Sequence, residues 1–275
     1  MSTLQLQASR AVRTLPPSRW AAELSEAHQV SIIAADEPLS MAYVIDAMQH
    51  VWGVVEVDLS QLTQYELPRM QTAARRFFFS AAVFWEDLER LRVGPACLHM
   101  ANGPNENGKW DVEYLIEAIP AFKSLRVLEL PDLDLSASEG WDILQACARC
   151  PTLRELDLSD NSLHQLDEVV DDENVVCSLE SLNLSANALG EFDEESVGSD
   201  LTCHALTSLL TQYTSLRTLD LSTNVLQNRE GRTIADALRN CTHLCVLNLA
   251  ANHWDKDVDE QIRAAWTGPA EGLLL

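Results

Sequence analysis

The sequence predicts an α/β solenoid, a stack of repeated strand–loop–helix units. Three observations predict it. The string LRELDLSDNSL at 153–163 returns almost letter for letter as LESLNLSANAL from Leu179, LRTLDLSTNVL from Leu216 and LCVLNLAANHW from Leu244. Each copy sets apolar residues three, then two, residues apart, with an asparagine three residues after the last of them. Between copies the apolar residues recur at helical spacing. Finally, 47% of the chain is apolar, ample for a continuous core.

Working upstream, the same spacing survives in degraded form. Leu125, Leu128 and Leu130 make one copy, with Leu133 in the asparagine slot. Leu88, Leu91 and Val93 make another, with Ala96 there, and Val54, Val57 and Leu59 a third. The faintest is Ala27, Val30 and Ile32. Eight strands are therefore expected, with first positions at 27, 54, 88, 125, 153, 179, 216 and 244. The commonest step, close to 28 residues, leaves room for a helix on each return.

Those helices can be read in order. Tyr114, Leu115, Ala118 and Ile119 form one apolar face; Trp141, Ile143, Leu144 and Cys147 form the next, after a capping Ser138. Leu206, Leu209 and Leu210 precede Tyr213, and Ile234, Leu238 and Cys241 follow Gly231. A last helix is expected over 255–266, with Val258, Ile262 and Trp266 on one side. No unit can bury its apolar edge alone, so stacking makes one core. Each fully buried leucine contributes roughly 1.5–3 kcal/mol. Asn161 and Asn187 are expected to turn inward and satisfy the backbone of the bending loop.

The expected organisation is an N-terminal cap at 1–26, the solenoid at 27–254, and a capping helix with tail at 255–275. Residues 1–22 hold Arg10, Arg13 and Arg19 and no carboxylate, the composition of a transit peptide. The competing and preferred reading is a short helix covering the first repeat through Trp20 and Leu24. Gly-, Asn- and Pro-rich residues 99–109 predict a projecting loop, and 190–200 an acidic loop carrying Phe192 and Val197. The closing Leu273, Leu274 and Leu275 either dock on a partner or tuck under the last repeat.

Composition narrows function. No run of eighteen uncharged apolar residues exists, so no helical membrane span is expected. The seven cysteines are scattered, which fits a reducing compartment better than a disulfide framework. Cys147 and Cys150 have C-x-x-C spacing without a second pair, so zinc is not expected. With 42 acids against 19 bases the net charge is −23, which should repel nucleic acid and anionic membrane and attract basic proteins. There is no phosphate-binding loop, nucleophile elbow or metalloprotease helix. An enzyme is therefore not expected, nor a cofactor.

From Leu125 onward the motif resembles the ribonuclease-inhibitor-like class of leucine-rich repeat proteins, and the likeness extends over residues 27–255. The resemblance implies a curved solenoid with parallel strands on the concave side and helices on the convex side. That class includes inhibitors, receptors, actin-filament caps, axonemal subunits and activators of the Ran GTPase.

On such a sheet, the residues two and four after each first position face away from the core. One column reads Gln29, Glu56, Arg90, Val127, Glu155, Ser181, Thr218, Val246. The other reads Ser31, Asp58, Arg92, Glu129, Asp157, Asn183, Asp220, Asn248. Glu56 should pair with Arg90, and Arg92 with Asp58 and Glu129. Beyond those pairs the compensation stops: Glu129, Glu155 and Asp157 lie together with no further basic residue beside them, and Asp220 follows two strands on. Between Arg154 and Arg217 stand fourteen acids and no lysine or arginine. Like charges across strands destabilise, which points to a cationic partner.

The expected function is a non-enzymatic protein-binding scaffold within a larger intracellular assembly, meeting a basic partner on an acidic concave face. Two alternatives stay open. A GTPase-activating helper would use Arg69, Arg75 or Arg76. A ubiquitin-ligase substrate receptor would use Leu15, Pro16, Pro17 and Leu24, an echo of an F-box opening in too short a segment. The expected location is the cytoplasm, with mitochondrial, cytoskeletal and flagellar alternatives.

Overall fold

The computed structural model of the 275-residue chain describes residues 4–7, 30–33, 54–60, 80–94, 111–166, 177–190 and 197–275. They fall into two compact units, Met1–Leu133 and Asp134–Leu275.

In the first unit five strands pair in parallel and in chain order: β1 (Leu4–Gln7), β2 (Val30–Ile33), β3 (Val54–Asp58), β4 (Arg90–Arg92) and β5 (Val127–Glu129). Parallel neighbours need a crossover, and between β4 and β5 helix α1 (Asp111–Ala118) lies on it. The apolar positions expected from the spacing are the core: Val54, Val57, Leu59, Leu88, Leu91, Val93, Leu125, Leu128 and Leu130 are each 0% exposed. Helix α1 buries Val112, Tyr114, Leu115 and Ala118 against them. Its α-helical pairing ends at a 3-10 turn, Ile119–Ala121, where Pro120 has no N–H to continue the ladder.

Two observations differ from expectation here. Leu4–Gln7, within the expected N-terminal cap, is a strand, while Trp20 and Leu24 of the expected capping helix lie outside the described residues. The run LQLQ alternates with period two, and the arginine-rich composition around it says nothing about backbone. The ladder also shifts between Val30 and Ser31, so Ser31 pairs with Glu56 and Ile33 with Asp58. Ser31 therefore does not hold the column place expected of it, and Gln29 lies outside the described residues. A slip of two residues preserves which face each side chain takes, so apolar alternation does not reveal it.

In the second unit α2 (Ala137–Ala148) leads into β6 (Glu155–Asp157), β7 (Ser181–Asn183), β8 (Thr218–Asp220), β9 (Val246–Asn248) and β10 (Leu273–Leu274), again parallel and in order. Helices α3 (Val197–Thr211), α4 (Asn228–Leu238) and α5 (Lys256–Ala265) lie on the crossovers from β7 to β10. Leucines 153, 156 and 158, and their counterparts at 179–184, 216–221 and 244–249, are all buried. At Gly231 in α4 a Cβ would stand 2.5 Å from Cγ1 of Val258 and 3.1 Å from the Trp254 ring, so only glycine lets α5 approach so closely.

The helix ends sharpen the sequence reading. The cap of α2 is Ser136, not Ser138: its Oγ accepts from the Glu139 N–H, and Glu139 Oε2 accepts from the Ser136 N–H at 2.9 Å. The reciprocal box needs a glutamate three residues on, which Ser138 lacks. Val197–Asp200 begins α3, so it is not part of a loop. Of the terminal leucines, Leu273 and Leu274 add a strand to the sheet rather than tucking beneath the repeat; they form β10, whose Leu274 carbonyl accepts from the Leu249 N–H at 2.7 Å. The described strands thus exceed the expected eight by one at either end.

The asparagine slot behaves as expected. Asn224, 3% exposed, accepts from the Leu189 N–H of the preceding repeat and donates to Leu184 O, Leu221 O and Ser222 O. Asn187 does the same with Leu163 N–H, Leu158 O, Leu184 O and Ser185 O. Asn161 and Asn252 accept from Leu135 and Leu226. One side chain therefore closes its own loop and ties it to the loop before, satisfying backbone groups hidden from water. The residue just before each asparagine (Asp160, Ala186, Thr223, Ala251) lies in the left-handed region, φ 53–59°. In the first unit this slot holds Leu133, buried at 6%.

Candidate functional site

The outward columns of each unit can be built from the strand register. In the first unit Glu56 lies beside Arg90, Asp58 beside Arg92, and Arg92 beside Glu129. Arg90 holds both flanking glutamates: its Nε is 3.9 Å from Glu56 and its Nη1 3.4 Å from Glu129. The Glu56 pair is the expected one. Glu129 lies on the diagonal, within reach of a long side chain, so its basic partner is Arg90 and not the Arg92 expected. The expected pairs of Arg92 with Asp58 and Glu129 do not form among the described residues. Asp58 turns along its own strand, and its Oδ1 accepts from the Ser60 N–H at 2.9 Å. Arg92 is left with a buried Nε that finds no acceptor among the described residues. An unsatisfied buried donor costs roughly 1–3 kcal/mol.

In the second unit one column is Glu155, Ser181, Thr218, Val246 and the other Asp157, Asn183, Asp220, Asn248. The second column has a role that the sequence reading missed. Asp157, Asn183 and Asp220 each accept from the N–H two residues on, at 2.9, 3.0 and 2.9 Å. Asn248 does the same with Ala250 at 3.2 Å. A short polar side chain bonding its own backbone in this way starts the turn that leaves the strand. The signal was legible as Asp or Asn two places before Ser or Ala in all four copies. Asp220 is occupied further, taking the Ser222 hydroxyl at 2.6 Å and the Asn248 amide at 2.9 Å. It is thus structural, which removes it from the set of free acids.

What remains is concentrated on β6. Glu155 is exposed and has no hydrogen bond or ion pair among the described residues, and there one oxygen of Asp157 is uncommitted. Nearby bases are spent elsewhere. The Arg154 guanidinium donates to Pro151 O and Leu153 O, both at 2.9 Å, and pairs with Glu180 at 3.4 Å. Arg217 repeats the device with Thr214 O and Leu216 O and adds His243 O. Both arginines brace the helix-to-strand turn.

The buried thiols offer no reactive centre. Burial raises the Cys147 thiol well above its ordinary value, and the neighbouring Cys150 and Cys177 add to that. Burial likewise raises Cys177, Cys203, Cys241 and the Tyr213 phenol. A thiol held neutral is a poor nucleophile and metal ligand. Among the described residues no group of three or more His, Cys, Asp or Glu is placed to hold a metal ion. Nor is any described helix long and apolar enough to cross a membrane. Arg69, Arg75 and Arg76, Leu15 to Leu24, the 99–109 loop and Phe192 lie outside the described residues.

Comparison with known proteins was made at three levels. The family profile described as Leucine Rich Repeat matches residues 152–171. No curated protein matches. Among solved structures, human 5T4 (trophoblast glycoprotein) is 24% identical, covering 79% of this chain and 64% of that one, with a TM-score of 0.42. An internalin from Listeria monocytogenes is 15% identical over 88% of this chain and 60% of its own, TM-score 0.47. The tropomodulin C-terminal domain of Caenorhabditis elegans is 17% identical over 56% of this chain and 72% of its own, TM-score 0.35. The matched repeat, with the strand and asparagine pattern on both sides of it, identifies the fold as that of a leucine-rich repeat protein.

Proposed function

We propose that this chain is a non-enzymatic protein-binding scaffold, a subunit of a larger assembly, whose strand face in the second unit takes a basic segment of a partner. The observation that carries the reading is the free charge of Glu155 and Asp157. The two carboxylates lie on one strand of a parallel sheet, and the bases around them are tied to turn carbonyls. Leaving like charges together without a counter-ion costs stability, and a cationic partner would recover it. The net charge of −23 supports the same polarity of partner. The stacked repeat favours binding over catalysis, because its parallel strands present a broad surface.

A hexa-arginine probe peptide tests this on the full chain. Replacing Glu155 and Asp157 together by serine removes two exposed charge pairs, which should weaken binding about tenfold at low salt. Replacing Asp257 and Glu260 of α5 by serine removes equal charge elsewhere and should change affinity less than about twofold. Equal losses from both variants would reduce the attraction to net charge alone, and the reading would fall.

A further inference from the structure

The strand face of the second unit is graded, and from the gradient we infer the order of side chains in the segment that lies on it. This rests on the reading of that face as a partner site and adds its specificity. At β6 the face is anionic, with Glu155 exposed and Asp157 half-buried. Across β7 and β8 the first column becomes small and uncharged, Ser181 then Thr218. The carboxylate at that level, Asp220, has both oxygens engaged, by the Ser222 hydroxyl and the Asn248 amide. At β9 the column turns apolar with Val246, and on β10 Leu274, in register with Asn248, is 48% exposed. Leu274 and Val83 are the two large apolar side chains most exposed among the described residues, and Leu274 alone of them lies in a strand of this sheet.

The occupant that fits is one extended polypeptide segment crossing the strands, with a lysine or arginine at one end and a large apolar side chain at the other. The cation sits between Glu155 and Asp157, and the apolar side chain covers Val246 and Leu274. Strands are spaced about 4.8 Å apart, so the two anchors stand roughly 14–19 Å apart. An extended chain rises about 3.3 Å per residue, so the apolar residue follows or precedes the cation by about four to six positions. Between the anchors the segment meets Ser181, Thr218 and Asn183, and Asp220 with its oxygens already hydrogen-bonded. Asn183, whose Oδ1 is held by the Ser185 N–H, still has its amide N–H groups for a carbonyl of the segment.

A set of labelled peptides on a Ser/Gly background tests the order and the spacing, with the full chain titrated by fluorescence anisotropy. One peptide carries Arg and Leu about five positions apart; the others lack the Arg, lack the Leu, or hold the two adjacent. The paired peptide should bind about tenfold more tightly than either single-anchor peptide and than the adjacent one. The Arg contribution should vanish in E155Q/D157N, and the Leu contribution in L274S and in V246T. V246T keeps the β-branched shape if L274S disturbs β10. An Arg contribution lost in E155Q/D157N, with no Leu contribution at any spacing, would overturn this inference and leave the acidic site standing. An Arg contribution unchanged in E155Q/D157N would overturn both.

Discussion

The outward faces of the two units use the same slots of the same repeat for different ends. In the first unit the charges are spent internally: Arg90 holds Glu56 and Glu129, and Asp58 caps its turn. In the second, Arg154 and Arg217 stand one residue after the first leucine rather than two, and bind turn carbonyls instead of strand acids. A shift of one residue along a strand moves a guanidinium off the column, and Glu155 is left free. The comparison teaches that counting charges does not locate a charged surface. What matters is which acids still have an uncommitted oxygen.

The asparagine slot separates the units most sharply, and Asn224→Leu breaks the difference by giving the second unit the side-chain type that Leu133 provides in the first. The Leu189 N–H loses its acceptor, and Leu184 O, Leu221 O and Ser222 O each lose one of two donors, so about 2 kcal/mol of stability should disappear in urea denaturation of the full chain. A loss below about 1 kcal/mol would mean that apolar packing serves the slot as well as the amide does.

Arg92→Met is expected to act in the opposite direction. It removes the unsatisfied guanidinium and keeps an unbranched stem as far as the position of Nε, so stability should rise by about 1 kcal/mol. A marked loss in the same assay would show that Arg92 is engaged.

The smallest effects distinguish internal from free charge. Arg90→Gln should cost about 0.5 kcal/mol, since its pairs are partly exposed and screened, and the cost should shrink in high salt. Glu155→Gln should cost nothing measurable, or stabilise slightly. If Glu155→Gln proved the more costly, the contrast between the two faces would be reversed.

Periodicity made most of the fold legible. Each first, fourth and sixth position expected from Leu88 onward is buried, and the helical faces around Leu115, Leu144, Leu209 and Ile234 all pack inward. Such positions are read easily because burial demands apolar side chains at fixed spacing, whatever the neighbouring repeat contains. The site was less legible. Ranking Glu129 and Asp220 among free acids failed because their partners, Arg90 and Asn248, lie 39 and 28 residues away. A side chain that reaches diagonally or turns along its own strand leaves no periodic trace.

By itself, then, the sequence determined the repeat, its parallel strands, the buried leucines and the inward asparagines, since these follow from a local spacing repeated until it could not be chance. Only the tertiary structure decided the pairing of β1 with β2, the slip at Val30, the entry of Leu273–Leu274 into the sheet, and which acids stay unpaired. Those outcomes depend on distances between side chains brought together by stacking, and a repeat motif specifies the stack without specifying what its outward residues do with one another.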